Sequence, residues 1–232
     1  MIPKIIHYCW FGNKKMPNEF KKYIKSWKKF CPDYKLILWN ESNYDLNKNS
    51  FVSEAAKRGK WAFVADYLRL DVLEEFGGIY LDTDVELVKK IDNFLNYEAF
   101  AGFECSEYVN FGSIVGAVPH NALINEMKQA YENFIFSDDT LHTHTIPIVS
   151  TGILQNHGFQ KNETEQEVDG FHIFTRDYFC PMNYSGIYDA YTDNTHSIHH
   201  FAATWFDKKE RRKFLMNRII ARLKYPIKKL FK

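Results

Sequence analysis

Short apolar strand patterns alternate with helical patterns through the first 81 residues of this 232-residue chain. The isoleucine-rich run 3–8 predicts a buried strand, and the spacing of Phe20, Ile24 and Trp27 predicts a helix over 17–30. Similar patterns predict a strand at 34–39, helices at 51–58 and 61–76, and a strand at 79–81. This alternation is typical of an α/β protein with a Rossmann-like, mostly parallel mixed sheet flanked by helices, in which ligands bind beyond the carboxyl ends of strands.

The rest of the chain gives less regular patterns. They predict strands near 99–104 and 111–117, a helix over 121–136, a short helix at 151–157 and a basic amphipathic helix over 208–224, before Pro226. The length fits one domain, and the apolar fraction of 45% argues against disorder. The sequence contains no signal-peptide pattern, no apolar run of membrane-spanning length and no CxxC pair among its four cysteines. These features predict a cytoplasmic protein with reduced thiols.

Charge is divided unevenly along the chain. Residues 208–232 carry a net charge of +10, whereas residues 1–207 carry −9. The basic segment also contains apolar residues at Phe214, Ile219, Ile220, Leu223, Tyr225, Ile227, Leu230 and Phe231. Interleaved basic and apolar residues suit an anionic membrane surface, although the segment could also be a solvated helix that maintains solubility. Nucleic acid is a less suitable partner because the sequence contains no nucleic-acid-binding motif.

An acidic triplet, Asp82-Thr83-Asp84, follows the predicted strand at 79–81. Two carboxylates separated by one residue can bind a hard divalent cation that shares its remaining coordination positions with phosphates. The same triplet could be an ordinary surface turn, since aspartate favours turns. The preceding Gly77-Gly78 pair supports the functional interpretation, because it ends a helix directly before the strand that carries the acids to the sheet edge.

The stretch from Phe63 to Asp84, FVADYLRLDVLEEFGGIYLDTD, resembles the signature of the DXD-containing sugar transferases. This family includes outer-chain mannosyltransferases and capsular polysaccharide transferases. The opening IPKIIH at 2–7, followed by Trp10, resembles its first strand. The resemblance implies a GT-A catalytic domain over 1–207 and retaining transfer from a nucleotide sugar, with UDP favoured over GDP. It also implies Mn²⁺ or Mg²⁺ bound by Asp82 and Asp84.

The resemblance also assigns residues to the donor. Asp66 and Arg69 lie three residues apart on one helix face. One interpretation is that they form a surface salt bridge with no role in binding. In similar enzymes these positions hold hydroxyls of the donor sugar. Tyr8 and Trp10 are candidates for contact with the base, although either could belong to the core. Thr83 is also expected to contact the donor.

Three histidines, His196, His199 and His200, precede a Phe-Ala-Ala-Thr-Trp stretch at 201–205. The segment resembles the family's C-terminal histidine element, which makes His200 the favoured metal or diphosphate contact, His199 the reserve choice, and Trp205 a further donor contact. Ala203 and Thr204 stand where relatives often have Gly-Ser, which weakens that assignment.

The region expected near the acceptor begins with two histidines. His142 and His144 form a His-x-His pair without further nearby ligands, so a structural role is favoured over a zinc site. Pro147 and Thr151-Gly152 resemble the acceptor region of the family, although Ile146 replaces a glycine.

The resemblance implies a retaining hexosyl- or N-acetylhexosaminyltransferase of capsular or surface polysaccharide synthesis. Its acceptor would be lipid-linked, at the inner face of the cell membrane. One alternative is a haloacid-dehalogenase-type phosphohydrolase with Asp82 as nucleophile, because Asp82-Thr83-Asp84-Val85 partly matches that motif. Another is a non-catalytic protein that binds carbohydrate or membrane.

Overall fold

A mixed sheet with helices on both faces forms the core of the protein. The computed structural model describes residues 1–137, 141–204, 206 and 208–229. Its strands are β1 (Ile5–Cys9), β2 (Lys35–Trp39), β3 (Gly78–Leu81), β4 (Val85–Leu87), β5 (Ala99–Cys105), β6 (Tyr108–Val109), β7 (Ile114–Ala117), β8 (Gln166–Val168), β9 (Phe171–Phe174) and β10 (Ser197–His199). Its α-helices are α1 (Asn18–Phe30), α2 (Ser50–Lys57), α3 (Trp61–Phe76), α4 (Ala122–Glu132), α5 (Ile146–Asn156), α6 (Arg176–Phe179) and α7 (Lys208–Lys229).

The main sheet has the strand order β2-β1-β3-β7-β5-β9-β8, and β6 pairs with β5 beside this path. Among the described strands, β1, β2, β3, β5 and β9 run in one direction, and β6, β7 and β8 run in the other. The expected α/β fold with a mostly parallel mixed sheet is confirmed.

Alternate residues of the strands face two apolar layers. On β3, Tyr80 packs in the layer that includes α2, α3 and α4, whereas Ile79 and Leu81 pack in the layer that includes Trp27 of α1. Successive strand side chains point to opposite faces, so the apolar run of β3 is buried on both sides. Helix α3 is also buried from Phe63 to Leu73, including its charged residues Asp66, Arg69 and Asp71.

The junction between α3 and β3 depends on two glycines. Gly77 and Gly78 have φ angles of 60° and 103°, in the region that side chains rarely adopt. A Cβ at residue 78 would lie 2.9 Å from the carbonyl oxygen of Ile5. The glycine pair therefore ends the helix and allows β3 to begin close beside β1.

A second, two-stranded sheet was not expected from the sequence. Strand β4 pairs antiparallel with β10, and the register sets Val85 opposite His199. This pairing brings a late segment of the chain against the residues that directly follow β3.

Three predicted helices have different bounds in the structure. The helix predicted over 121–136 is shorter, because α4 ends at Glu132. The helix predicted at 151–157 begins earlier, because α5 spans Ile146–Asn156 with Pro147 in its first turn, where a missing N–H costs little. The helix predicted to end before Pro226 continues to Lys229. Proline inside a helix removes one backbone hydrogen bond but does not prevent continuation. No helix in the described part of the chain is long and apolar enough to cross a membrane.

Candidate metal and donor site

The acidic triplet lies at the carboxyl end of β3, as the sequence pattern predicts. The Val85 N–H donates to the Asp82 carbonyl at 3.0 Å and closes a tight turn around Thr83. Among the described residues, Asp82, Asp84 and His199 form the one group of at least three acidic, histidine or cysteine side chains arranged to hold a metal ion. One ligand atom from each lies within 4.8 Å of the others. Carboxylate oxygens with an imidazole nitrogen suit Mn²⁺ or Mg²⁺.

Asp84 is held by the loop that follows β10. Its Oδ1 lies 3.4 Å from His199 Nε2, and its Oδ2 accepts the Ala202 N–H at 2.8 Å. Its backbone carbonyl accepts the His200 N–H at 2.9 Å. Burial raises the pKa of Asp84, but His199 and the Ala202 N–H outweigh burial and bring the pKa to about 2. The carboxylate is therefore ionised at neutral pH and available to a cation.

His199 is the histidine that faces this group. Asn110, which is itself buried, places its Nδ2 3.2 Å from His199 Nδ1. Burial lowers the pKa of His199, but the charge of Asp84 outweighs it and holds the pKa well above its ordinary value. A metal ion at this position would therefore compete with a proton for the ring.

His200, the favoured choice from the sequence, lies elsewhere. Its Nε2 is 3.0 Å from Glu86 Oε2, and its ring stacks on Tyr23 with centroids 4.3 Å apart. Adjacent side chains at a strand end point in opposite directions, so only one of the two histidines can face Asp84. The reserve choice, His199, is the one brought to the acidic pair.

Arg69 lies behind Asp82 and is only 2% exposed. Its Nη2 donates to Asp66 Oδ1 at 3.0 Å and to Asp82 Oδ1 at 3.4 Å, and its Nη1 donates to the Phe111 carbonyl at 2.8 Å. The Tyr80 hydroxyl also donates to Asp82, at 3.1 Å. Burial raises the pKa of Asp82, while Arg69 opposes that rise. The guanidinium group therefore fixes the orientation of the first carboxylate of the triplet.

Asp66 is 7% exposed, and both of its oxygens have protein partners. Oδ1 accepts from Arg69, and Oδ2 accepts the backbone N–H of Ile146 at 3.2 Å, at the start of α5. Burial raises the pKa of Asp66 to about 7. The pair predicted as donor-sugar contacts is thus a buried ion pair that joins α3, Asp82 and α5.

Three of the remaining predicted donor residues, Tyr8, Trp10 and Thr83, lie in or next to the first strand and the triplet. Tyr8 packs edge-on against Trp27, with ring centroids 5.3 Å apart. Trp10 packs edge-on against Phe20, and its indole N–H donates to the Lys14 carbonyl. Thr83 lies in the turn between the two aspartates, and Trp205 lies outside the described residues. Their contact with a nucleotide stays a prediction.

The expected acceptor segment packs against the body of the protein. The His144 ring stacks on Phe134 with centroids 4.0 Å apart, whereas His142 is exposed. Thr151 Oγ1 accepts the Val109 N–H at 3.0 Å. These contacts give His144 and Thr151 structural partners.

Sequence reasoning did not identify Asn110 or Glu104. Glu104 is buried near His199, at the end of β5, and hydrogen-bonds to the Tyr184 hydroxyl, while burial raises its pKa. A polar residue at the carboxyl end of an apolar strand was the available signal for Glu104. No sequence signal indicated Asn110, because its partner, His199, is 89 residues away along the chain.

Residues 17–101 match the family model for the glycosyltransferase sugar-binding region containing DXD motif. Over this range the chain is similar to the DXD-type sugar-binding region. The matched range includes Asp66, Arg69, Asp82 and Asp84. The resemblance seen in the sequence is therefore confirmed, whereas Asn110 and His199 lie beyond the matched range.

Curated relatives match part of the chain. An uncharacterized glycosyltransferase of Acanthamoeba polyphaga mimivirus is 35% identical over 106 residues, which cover 43% of this chain and 42% of the relative. The mannosyl phosphorylinositol ceramide synthase of Saccharomyces cerevisiae is 30% identical over 138 residues, which cover 58% of this chain and 36% of that protein. The chain spans less than half the length of either relative.

A solved structure shares the fold. The PaToxG glycosyltransferase superposes with a TM-score of 0.55 and 21% identity, over 67% of this chain and 68% of the other. At this identity the likeness shows the fold alone, and the expected GT-A fold is confirmed.

Proposed function

We propose that this chain is a metal-dependent, retaining glycosyltransferase that uses a nucleotide-sugar donor. The observation that carries the proposal is the meeting of Asp82, Asp84 and His199 at the carboxyl edge of β3, within a chain that is similar to the DXD-type sugar-binding region over residues 17–101. The ligand set suits a divalent cation, with Mn²⁺ preferred because an imidazole joins two carboxylates. When bound, the cation would neutralise negative charge on the nucleoside diphosphate that leaves the sugar.

The transfer breaks the bond between the anomeric carbon and the β-phosphate oxygen, and forms a bond from that carbon to an acceptor hydroxyl oxygen. The hydroxyl proton passes to the departing diphosphate, so the step needs no further reactant. We assign no protein nucleophile. In this proposal Arg69 orients Asp82, and Asp66 contacts the donor sugar through lone pairs that Arg69 and Ile146 leave available. Tyr8, Trp10, Thr83 and Trp205 remain proposed donor contacts.

The donor sugar is proposed to be a hexose or N-acetylhexosamine. The names of curated relatives include mannosyl phosphorylinositol ceramide synthase and inositol phosphoceramide mannosyltransferase. A nucleotide-linked mannose is therefore one of the donors to test. UDP-linked sugars are the other donors to test, and they are the donors that the sequence analysis favours. A role in capsular or surface polysaccharide synthesis is part of the same proposal.

The acceptor is proposed to be lipid-linked and presented at the inner face of the cell membrane. The outer face of α7 supports this, because Leu215, Met216, Ile219, Ile220 and Leu223 are exposed beside its basic side chains. Each basic residue close to an anionic bilayer contributes about 1 kcal/mol. The names of two relatives, which contain phosphorylinositol ceramide and inositol phosphoceramide, also indicate a lipid acceptor for those proteins. We therefore propose that the body 1–207 is catalytic and the segment 208–232 attaches it to the membrane.

Nucleotide release from a panel of UDP- and GDP-sugars tests the activity. Wild-type protein should release nucleoside diphosphate in the presence of Mn²⁺, and chelation should stop the release. Asp84→Asn should lower the rate by at least about a hundredfold, since it removes charge from a metal ligand. Glu86→Gln is the matched control, because Glu86 lies two residues away and faces His200.

Equal loss in both variants, or equal release with and without Mn²⁺, would contradict the metal role. Hydrolysis of simple phosphate esters without nucleotide release would instead favour the phosphohydrolase alternative. The contacts of Asp82 with Arg69 and Tyr80 suit a held ligand better than a free nucleophile. Absence of both activities would favour a binding protein.

Vesicle co-sedimentation tests the membrane proposal. The double variant Ile219→Ser/Leu223→Ser should bind phosphatidylserine-containing vesicles more weakly than wild type, because it removes exposed apolar area from α7. Ile135→Ser is the control, since Ile135 is 84% exposed on a different surface. Binding that is independent of phosphatidylserine, or equal in all three proteins, would contradict the proposal.

A further inference from the structure

Helix α7 has an inner face that contacts the protein body. Phe214 packs against the small apolar cluster of Cys180, Met182, Ile198 and Phe201. One turn later, Arg218 Nη1 donates to two consecutive carbonyl oxygens, of His200 at 2.9 Å and of Phe201 at 3.2 Å. Arg218 is half-buried, and its Nη2 lies 3.6 Å from Met182 Sδ. A single guanidinium group therefore connects α7 to the segment 200–203, here called the histidine loop.

The histidine loop has a conformation that needs external support. Phe201 and Ala203 both have φ angles of 50°, although neither is glycine. Non-glycine residues remain in this left-handed region only when their surroundings determine it. The Phe201 ring packs against His199 and Tyr184, and its carbonyl is held by Arg218. Contacts from α7 are thus among those that maintain the strained backbone.

The same loop completes the candidate metal group. Directly before it His199 faces Asp84, and within it the Ala202 N–H donates to Asp84 Oδ2. The His200 N–H donates to the Asp84 carbonyl, while the His200 carbonyl accepts from Arg218. One peptide segment therefore contacts α7 on one side and Asp84 on the other.

We propose that Arg218 is a positioning residue, which fixes the histidine loop and thereby holds His199 and the Ala202 N–H against Asp84. This inference rests on the proposed function for its catalytic meaning, but its structural content is independent of it. It makes α7 part of the donor site as well as the proposed membrane contact. Docking of α7 on the body then becomes a condition for an ordered metal group.

Arg222 offers a matched control on the same helix. It carries the same charge one turn later, but its Nε donates to the Gly186 carbonyl at 3.0 Å, away from the histidine loop. Gly186 leaves room for both guanidinium groups, since a Cβ there would lie 2.7 Å from each Nη2. Arg218→Gln and Arg222→Gln thus remove equal charge from α7, but only the first releases the loop.

Hydrogen-exchange mass spectrometry on metal-free protein tests the positioning claim directly. In Arg218→Gln, the peptide that contains residues 197–204 should exchange about tenfold faster or more, because two hydrogen bonds from a charged donor are lost. Arg222→Gln should leave that peptide unchanged, and Arg218→Lys should restore part of the protection. Unchanged exchange in Arg218→Gln, or equal acceleration in both glutamine variants, would overturn the inference.

Mn²⁺ binding, followed by the electron paramagnetic resonance of the free ion, tests the consequence. Affinity should fall about tenfold in Arg218→Gln and stay at the wild-type value in Arg222→Gln. Equal affinities in all three proteins would overturn the link between the loop and the metal group. If the wild type binds no Mn²⁺ while the exchange difference is present, the positioning claim stands and the metal-dependent function fails.

Discussion

At the scale of single residues, Asp84 is held from three directions. His199 and the Ala202 N–H contact its two carboxylate oxygens, and the His200 N–H contacts its carbonyl. His199 and the Ala202 N–H lower the pKa of Asp84 to about 2 despite burial. The residue that the resemblance marks as a metal ligand is therefore held as an ionised carboxylate at neutral pH.

The two adjacent histidines should respond differently to substitution. His199→Ala removes a ligand atom from the metal group and should weaken Mn²⁺ binding by at least about tenfold. His200→Ala removes a ring that contacts Glu86 and Tyr23, and should leave the affinity near the wild-type value. Isothermal titration with Mn²⁺ measures both. A larger loss in His200→Ala would restore the choice first made from the sequence.

The acidic triplet could be predicted from sequence, because it directly follows an apolar strand and a glycine pair. The choice between His199 and His200 could not. It depends on the register of β10 with β4, which sets His199 opposite Val85. A one-residue shift in register would exchange the faces of the two side chains.

His7 makes stability depend on pH. It is fully buried, its Nε2–H donates to the Gly77 carbonyl at 2.9 Å, and its Nδ1 accepts from Trp39 Nε1 at 3.1 Å. Burial lowers its pKa to about 4. The unfolded chain titrates near 6.5, so it takes up a proton before the folded chain does, and stability falls as pH drops from about 6.5 to 4.

Over that range His7 should remove about 3 kcal/mol of unfolding free energy. Urea denaturation of wild type and His7→Gln at neutral pH and at about pH 4 isolates this contribution, because the variant lacks the titrating ring. The wild type should lose about 3 kcal/mol more than the variant on acidification. Parallel losses would show that the His7 ring is not held neutral in the folded state.

At the scale of elements, the strands and helices before the triplet follow the sequence pattern closely, and β4 does not. Its three residues contain the acidic Glu86, and its partner β10 is more than a hundred residues later. So short a segment has no recognisable periodicity, and its pairing is a tertiary property. This pairing brings His199 to the acidic pair.

The same glycine-to-alanine change should have opposite effects in two elements. At Gly78 the φ angle of 103° and the 2.9 Å approach to the Ile5 carbonyl leave no room for Cβ. Gly78→Ala should lower the unfolding free energy by about 3 kcal/mol. At Gly152, inside α5, a Cβ would meet nothing within 4 Å. Gly152→Ala should therefore raise the unfolding free energy by about 1 kcal/mol.

Urea denaturation of both alanine variants checks this pair of predictions. Destabilisation in both would show that residue 152 needs glycine for a reason other than space. Stabilisation in both would show that β1 and β3 can move apart at residue 78. The first result would contradict only the prediction for Gly152, whereas the second would contradict the role of Gly78 at the α3–β3 junction.

At the scale of the whole molecule, the uneven charge is readable from the sequence, and the position of the basic helix is not. Residues 208–232 carry +10 against −9 for the body. The amphipathic pattern shows that α7 has two faces, but side-chain periodicity does not identify the partner of either face. The structure sets Arg218 on the histidine loop and leaves Ile219 and Leu223 exposed.

This arrangement connects the proposed membrane contact with the candidate metal group through one helix, α7. The outward face of α7 suits an anionic membrane, and its inward face contacts the loop that completes the candidate metal group. An enzyme with a lipid-linked acceptor would thereby have its donor site and its membrane contact on opposite sides of one helix.

In the proposed function, Asp82, Asp84 and His199 hold the metal that binds the donor diphosphate. Crystals soaked with Mn²⁺ and either UDP or GDP test it most directly, because anomalous scattering locates Mn²⁺ without reference to activity. We expect one strong peak in contact with Asp84 and His199, with the diphosphate bound to the metal. A peak at Glu86 and His200 instead, or a diphosphate bound away from Asp84, would contradict this proposal.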